Sequence, residues 1–263
     1  MMLAVRADFP GFPVPFVAGI VALLALAGCD GAVQAPAGKV TAKTPATAPA
    51  AVIPKRSPPV SPETLQRAFK AVFGAASPLV EEETEAGFEG ETEAKKLIWL
   101  GDTAILITTT TYKDASHGTE GKLGIYYLKA AGAGFTVTGK WPDAVLGNGF
   151  GGPADFWVIA RRFGPLPVLY SEAGFMGQGY TCTWFELTEL APDEPKSLAS
   201  VPIYYDDTGA LEEGGIVIEG KITTIVPGKS FTVHYTGART FTETWVRHGD
   251  DYVLRGKTRM KEC

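Results

Sequence analysis

Histidine and cysteine are scarce in this chain, with three of each among 263 residues. Each shortage removes a class of chemistry. His117, His234 and His248 lie far apart and form no His-x-x-x-His or Cys-His pattern, so their spacing gives no metal site. His117 and His248 fall in turn-like sequence, and His234 alternates with Val233 and Tyr235 on a strand pattern. No Gly-x-Ser-x-Gly elbow and no Ser-x-x-Lys sequence occurs, which takes away the common serine-nucleophile contexts. The glycine-rich pieces 147–152 and 174–179 lack the strand-glycine-helix setting of a phosphate loop, and no cofactor is expected. Asp206-Asp207-Thr208-Gly209 reads as a turn, with paired carboxylates for sugar hydrolysis as the alternative.

Basic charge is also short. Lys and Arg total 24 against 29 Asp and Glu, for a net charge of -5. Seven glutamates between positions 81 and 93, set against Lys95 and Lys96, account for the excess. The remainder is near balance, so no basic face is available to neutralise phosphates and no nucleic-acid partner is expected.

One apolar run stands out. Phe16 to Ala27 is unbroken by charge, follows Arg6, and has signal-peptide length, too short for a comfortable membrane span. It ends Leu26-Ala27-Gly28-Cys29: a leucine, two small residues and a cysteine directly after the apolar run. This segment resembles the lipobox of bacterial lipoproteins. The resemblance covers residues 1–29 only. It implies a signal peptide over 1–28, cleavage before Cys29 and acylation of that cysteine, with several acyl chains holding the protein to a membrane. The address implied is the bacterial cell envelope, lipid-anchored and facing the periplasm. Asp30 resembles the signal for retention in the inner membrane; the outer membrane is the alternative.

Residues 29–60 are rich in Ala, Pro and Thr, as in Thr44-Pro45-Ala46-Thr47-Ala48-Pro49 and Ser57-Pro58-Pro59. Few of these side chains could bury a core, and the prolines favour extended segments, so this stretch reads as a semi-rigid tether. With Cys29 assigned to lipid, Cys182 and Cys263 remain. Two cysteines in an oxidising compartment suit one disulfide.

The folded domain is expected over 61–263. Ser61 as cap, Pro62 at the first helical position and an apolar stripe of Leu65, Ala68, Phe69, Val72 and Phe73 predict a helix stopping at Gly74. The Glu-rich stretch that follows reads as a solvated loop. From Leu97 onward β patterns dominate, in short strands separated by turn sequence. The expected fold is mainly β: an antiparallel β-sandwich or partly open barrel with one N-terminal amphipathic helix, and propeller-like blades as the alternative.

Aromatic residues gather around the two glycine-rich pieces. Phe150 and Trp157 flank Gly151-Gly152-Pro153, while Phe175, Met176, Tyr180 and Trp184 surround Gly174, Gly177 and Gly179. Glycines admit close backbone approach and aromatics offer rigid contact area, which makes these six residues candidates for binding a protein or glycan partner. The competing reading places the same aromatics in the core. The function expected is a non-catalytic binding module, such as an inhibitor or neutraliser of a periplasmic protein. The alternatives are a structural component of envelope assembly or maintenance, and a cell-envelope hydrolase whose site leaves no sequence motif.

Overall fold

The computed structural model describes residues 60–82 and 87–263. The expected signal peptide, Cys29, Asp30 and the expected tether up to residue 59 lie outside the described residues. The domain opens with helix α1 (Pro62–Phe73). Ser61 Oγ accepts the Thr64 N–H at 3.2 Å, and Gly74 closes the last turn at φ 75°, a left-handed conformation that favours glycine. Both ends lie where the capping sequence places them.

Among the described residues thirteen antiparallel strands follow in two sheets. The first sheet is β1 (Leu79–Glu82), β2 (Glu89–Leu100), β3 (Thr103–Tyr112), β4 (Lys122–Ala131) and β5 (Gly134–Leu146), paired in sequence order. The second runs from β6 (Phe156–Ala160) through β7 (Val168–Gly177), β8 (Tyr180–Leu190), β9 (Pro195–Asp206), β10 (Val217–Val226), β11 (Ser230–Gly237), β12 (Phe241–His248) and β13 (Asp251–Leu254). Two sheets of five and eight strands exclude repeated four-stranded blades.

The Glu-rich stretch corrects one expectation. Glu81 and Glu82 end β1, and Glu89, Glu91 and Glu93 lie on β2, alternating there with Gly90, Thr92 and Ala94. That period of two puts carboxylates on one face and small side chains on the other, a strand pattern that charge density obscures. β9 is a further strand that its sequence does not announce, because Pro195, Ser197, Ser200 and Pro202 dilute its β-branched residues.

α1 covers the outer face of the first sheet. Ala68 and Phe69 are fully buried against Leu97, Ala104, Leu106, Tyr126 and Leu128. Ile105, Ile107, Ile125 and Tyr127 on the inner face meet Leu169, Ala173 and Leu190 of the second sheet. Buried on both sides, the centre of β3 reads as a continuous apolar run rather than an alternation. Tyr127 spans the two sheets, its hydroxyl donating to the Ala191 carbonyl at 2.7 Å, and burial pushes its pKa up.

The second sheet curls into a partly open barrel around its own core of Tyr170, Phe185, Val201, Phe231, Val233, Tyr235 and Tyr252. β10 pairs with β9 at only three positions, Val217–Glu219 against Asp206–Tyr204, and beyond them the strands part. The curl brings later strands back against earlier ones. Arg247 pairs with Glu189 at 3.8 Å, and Lys196 with Asp250 at 3.1 Å. The connection after β6 plugs the barrel with Phe163, whose carbonyl accepts the Tyr252 hydroxyl at 2.9 Å and the Gly228 N–H at 2.6 Å.

The C-terminal segment is pinned beside this core. Buried Glu243 accepts the Arg259 N–H at 2.6 Å and the Thr258 hydroxyl at 3.1 Å. The final residue, Cys263, forms a disulfide with buried Cys182 on β8, with Cα atoms 6.4 Å apart.

Candidate functional site

The two glycine-rich pieces meet in space. One follows β5; the other ends the β7–β8 hairpin, where Gly177 pairs with Tyr180 across a turn at Gln178 and Gly179, both at positive φ. Asn148 joins them: its side-chain amide donates to the Pro153 carbonyl at 2.9 Å, and its oxygen accepts the Gly174 N–H at 2.6 Å. Backbone bonds hold the first piece to the loop before β4, from Gly151 N–H to Thr119 O at 2.7 Å, and to the end of β3, from Tyr112 N–H to Gly151 O at 2.9 Å. A Cβ on Gly151 would lie 2.2 Å from the Tyr112 carbonyl oxygen, so only glycine admits that contact.

Phe150 precedes Gly151 at φ 58°, an uncommon conformation for a phenylalanine, and its side chain is 60% exposed. Phe175 and Met176 on β7 are 37% and 63% exposed. With Asn148, Asp155 and Thr181 they line a shallow depression of about 250 Å³. Large apolar side chains held out to solvent on a hydrogen-bonded frame have the composition of a recognition surface.

The other three aromatics do not join them at the surface. Trp157 and Trp184 are half-buried against the core between the sheets, and Tyr180 packs on the barrel core beside Tyr205. Strand parity decides this, since Trp157 shares the inward face of β6 with Ile159.

A second, larger cleft of about 370 Å³ was not visible in the sequence. It lies on the concave side of the second sheet, where β10 leaves β9. Its polar lining includes Arg162, Tyr170, Glu172, Tyr204, Glu219 and Lys221. The Tyr170 hydroxyl donates to Glu172, and Lys221 pairs with Glu219 at 2.9 Å. Burial, reinforced by Glu172, pushes the Tyr170 pKa up. These residues come from three strands and the loop after β6, so no local motif could announce them.

The remaining sequence candidates sit apart. Asp206 accepts the Thr208 hydroxyl at 2.7 Å and its N–H at 2.9 Å, bonds that hold its pKa below the usual value. Asp207 accepts the Ile216 N–H at 2.5 Å, the larger cause of its lowered pKa, and the Tyr205 hydroxyl at 2.9 Å. Both carboxylates are thereby engaged in the turn between β9 and β10. His234 Nδ1 lies 3.2 Å from Thr242 Oγ1, and the His117 ring lies 6.2 Å from that of Phe150. Among the described residues no three His, Cys, Asp or Glu side chains gather as a metal site would require.

The chain matches no family model, no curated protein and no solved structure. Fold and site chemistry are therefore the only guides to its activity.

Proposed function

We propose that the protein is a membrane-anchored lipoprotein of the cell envelope whose β domain is a non-catalytic binding module, with a role such as inhibiting or neutralising a periplasmic protein. The observation that carries this reading is the exposure of Phe150, Phe175 and Met176 around one depression on a hydrogen-bonded frame. The Leu26-Ala27-Gly28-Cys29 sequence supports the anchor, and the Cys182–Cys263 disulfide supports an oxidising compartment. Among the described residues no helix is long and apolar enough to cross a membrane. In this reading lipid on Cys29 supplies the attachment.

Affinity capture from an envelope extract, with wild type and a Phe150→Ala, Phe175→Ala, Met176→Ala triple variant side by side, tests the module. The wild type should retain a stoichiometric, salt-resistant partner, and the variant should bind it at least about 30-fold more weakly, the effect of losing one hot spot. Because the three side chains are exposed, the thermal midpoint should change little. Equal retention by both proteins would overturn the assignment of this surface.

One observation favours a second reading, a cell-envelope hydrolase. Glu172 and Glu219 line the same cleft, and two convergent carboxylates are the minimum equipment for acid–base hydrolysis. Each already holds a partner, Tyr170 and Lys221 respectively, which ranks this reading second. Wild type assayed on cell-wall glycan would have to show turnover that Glu172→Gln abolishes. Equal inactivity of both removes it.

A further inference from the structure

Each sheet has two edge strands, and three of the four are blunted. β1 is four residues long and ends in Glu81-Glu82; β5 carries Lys140, Pro142 and Asp143; β13 is four residues long, begins at Asp251 and is followed by Arg255. Charge, proline and brevity are the usual protections against a foreign strand. β6 has neither charge nor proline. It reads Phe156-Trp157-Val158-Ile159-Ala160 and has β7 as its one paired neighbour among the described residues. Phe156 is 51% exposed and Val158 40%.

The flanking charges make this edge complementary to itself. Asp155 precedes the strand and Arg161 follows it. Both are exposed, and neither makes a hydrogen bond or ion pair with another described residue. A second β6 laid antiparallel about a two-fold axis at Val158 sets Phe156 opposite Ala160, large against small, and Trp157 opposite Ile159. The same register sets Asp155 opposite the second copy's Arg161 at both ends. A parallel pairing would oppose like charges instead, so the charges select the two-fold arrangement.

We propose that β6 is a two-fold seam on which a second copy of this chain adds its own β6, joining the two eight-stranded sheets into one. A strand of this length buries less than the roughly 800 Å² per partner of a standard interface, so the dimer is weak and reversible. Asp155 also lines the depression proposed above as a binding surface, whereas Arg161 does not, so Arg161→Asp tests the seam alone.

Sedimentation equilibrium of the full chain in density-matched detergent tests the seam. Wild type should show a monomer–dimer equilibrium at micromolar to millimolar concentration. Asp155→Arg alone, or Arg161→Asp alone, replaces two attractive pairs with two repulsive ones and should weaken association at least about tenfold. Both positions are exposed, so circular dichroism should show unchanged folding. Mixing the two single variants brings unlike charges together at both ends, and a hetero-dimer of wild-type strength should return. Carrying both changes in one chain should also restore self-association. A wild type that stays monomeric at about 1 mM would overturn the seam. Dimers indifferent to either charge reversal, or single variants that fail to associate when mixed, would do the same.

Discussion

Removing the disulfide by Cys182→Ala and Cys263→Ala lowers the stability of the β domain by about 4.5 kcal/mol, the loop-closure entropy that the bridge withholds from the unfolded chain. The bridged residues are 81 positions apart, and the loop contains the strands from β9 to β13. For a domain of this size the thermal midpoint should fall by roughly 10–15 °C. The native state contributes in the same direction, because the bridge fixes a C-terminal segment otherwise held by the bonds to Glu243, by Arg259 over the Phe241 ring at 4.6 Å and by buried Met260. Urea unfolding of wild type, the double variant and the reduced wild type measures the effect. The last two should agree within about 1 kcal/mol, the cost of a small cavity. A double variant as stable as oxidised wild type would show that the tail holds without its covalent tie.

Phe231→Ala should cost about 3–5 kcal/mol, the range for truncating a buried phenylalanine. Phe231 is 1% exposed, and its ring lies 5.0 Å from Tyr252, 5.7 Å from Phe185, 6.0 Å from Phe163 and 6.0 Å from Trp245. These partners belong to β13, β8, the plug after β6 and β12, so one side chain fills the space where four parts of the barrel meet. Close packing around it limits collapse into the void, which places the loss high in that range. Phe231→Leu keeps most of the volume and should cost less than about 1.5 kcal/mol. Equilibrium unfolding of the three proteins checks the order. A loss below about 1 kcal/mol for alanine would mean that the barrel is packed loosely enough to close over the gap.

Much of this architecture is legible in the sequence, and the reasons are local. Ser61, Pro62, the Leu65–Phe73 stripe and Gly74 specify α1 through capping bonds and a 3.6-residue period contained in the segment. The strands from β3 to β8 and from β10 to β13 announce themselves by β-branched and aromatic runs between turns. β1 and the Glu-rich first part of β2 did not, because their carboxylates mask a period of two that pairing makes meaningful; from Leu97 onward β2 falls within the β pattern.

The site was legible only in outline. The sequence placed six apolar residues near two glycine-rich pieces, and composition gave no means to sort them. The fold sorted them: Phe150 stands out on a loop and consecutive Phe175 and Met176 at the end of β7, while Trp157, Tyr180 and Trp184 pack on the cores. A shift of one residue in either strand would exchange faces, and nothing within a single strand records which face its neighbours will cover.

By itself, then, the sequence determined the helix and the β class, since each depends on residue type and short spacing. Tertiary structure alone decided the curl of the second sheet, the meeting of Glu172 with Glu219 in one cleft and the isolation of β6 at an uncovered edge. Those follow from contacts between residues tens of positions apart, whose geometry exists only once both sheets have formed.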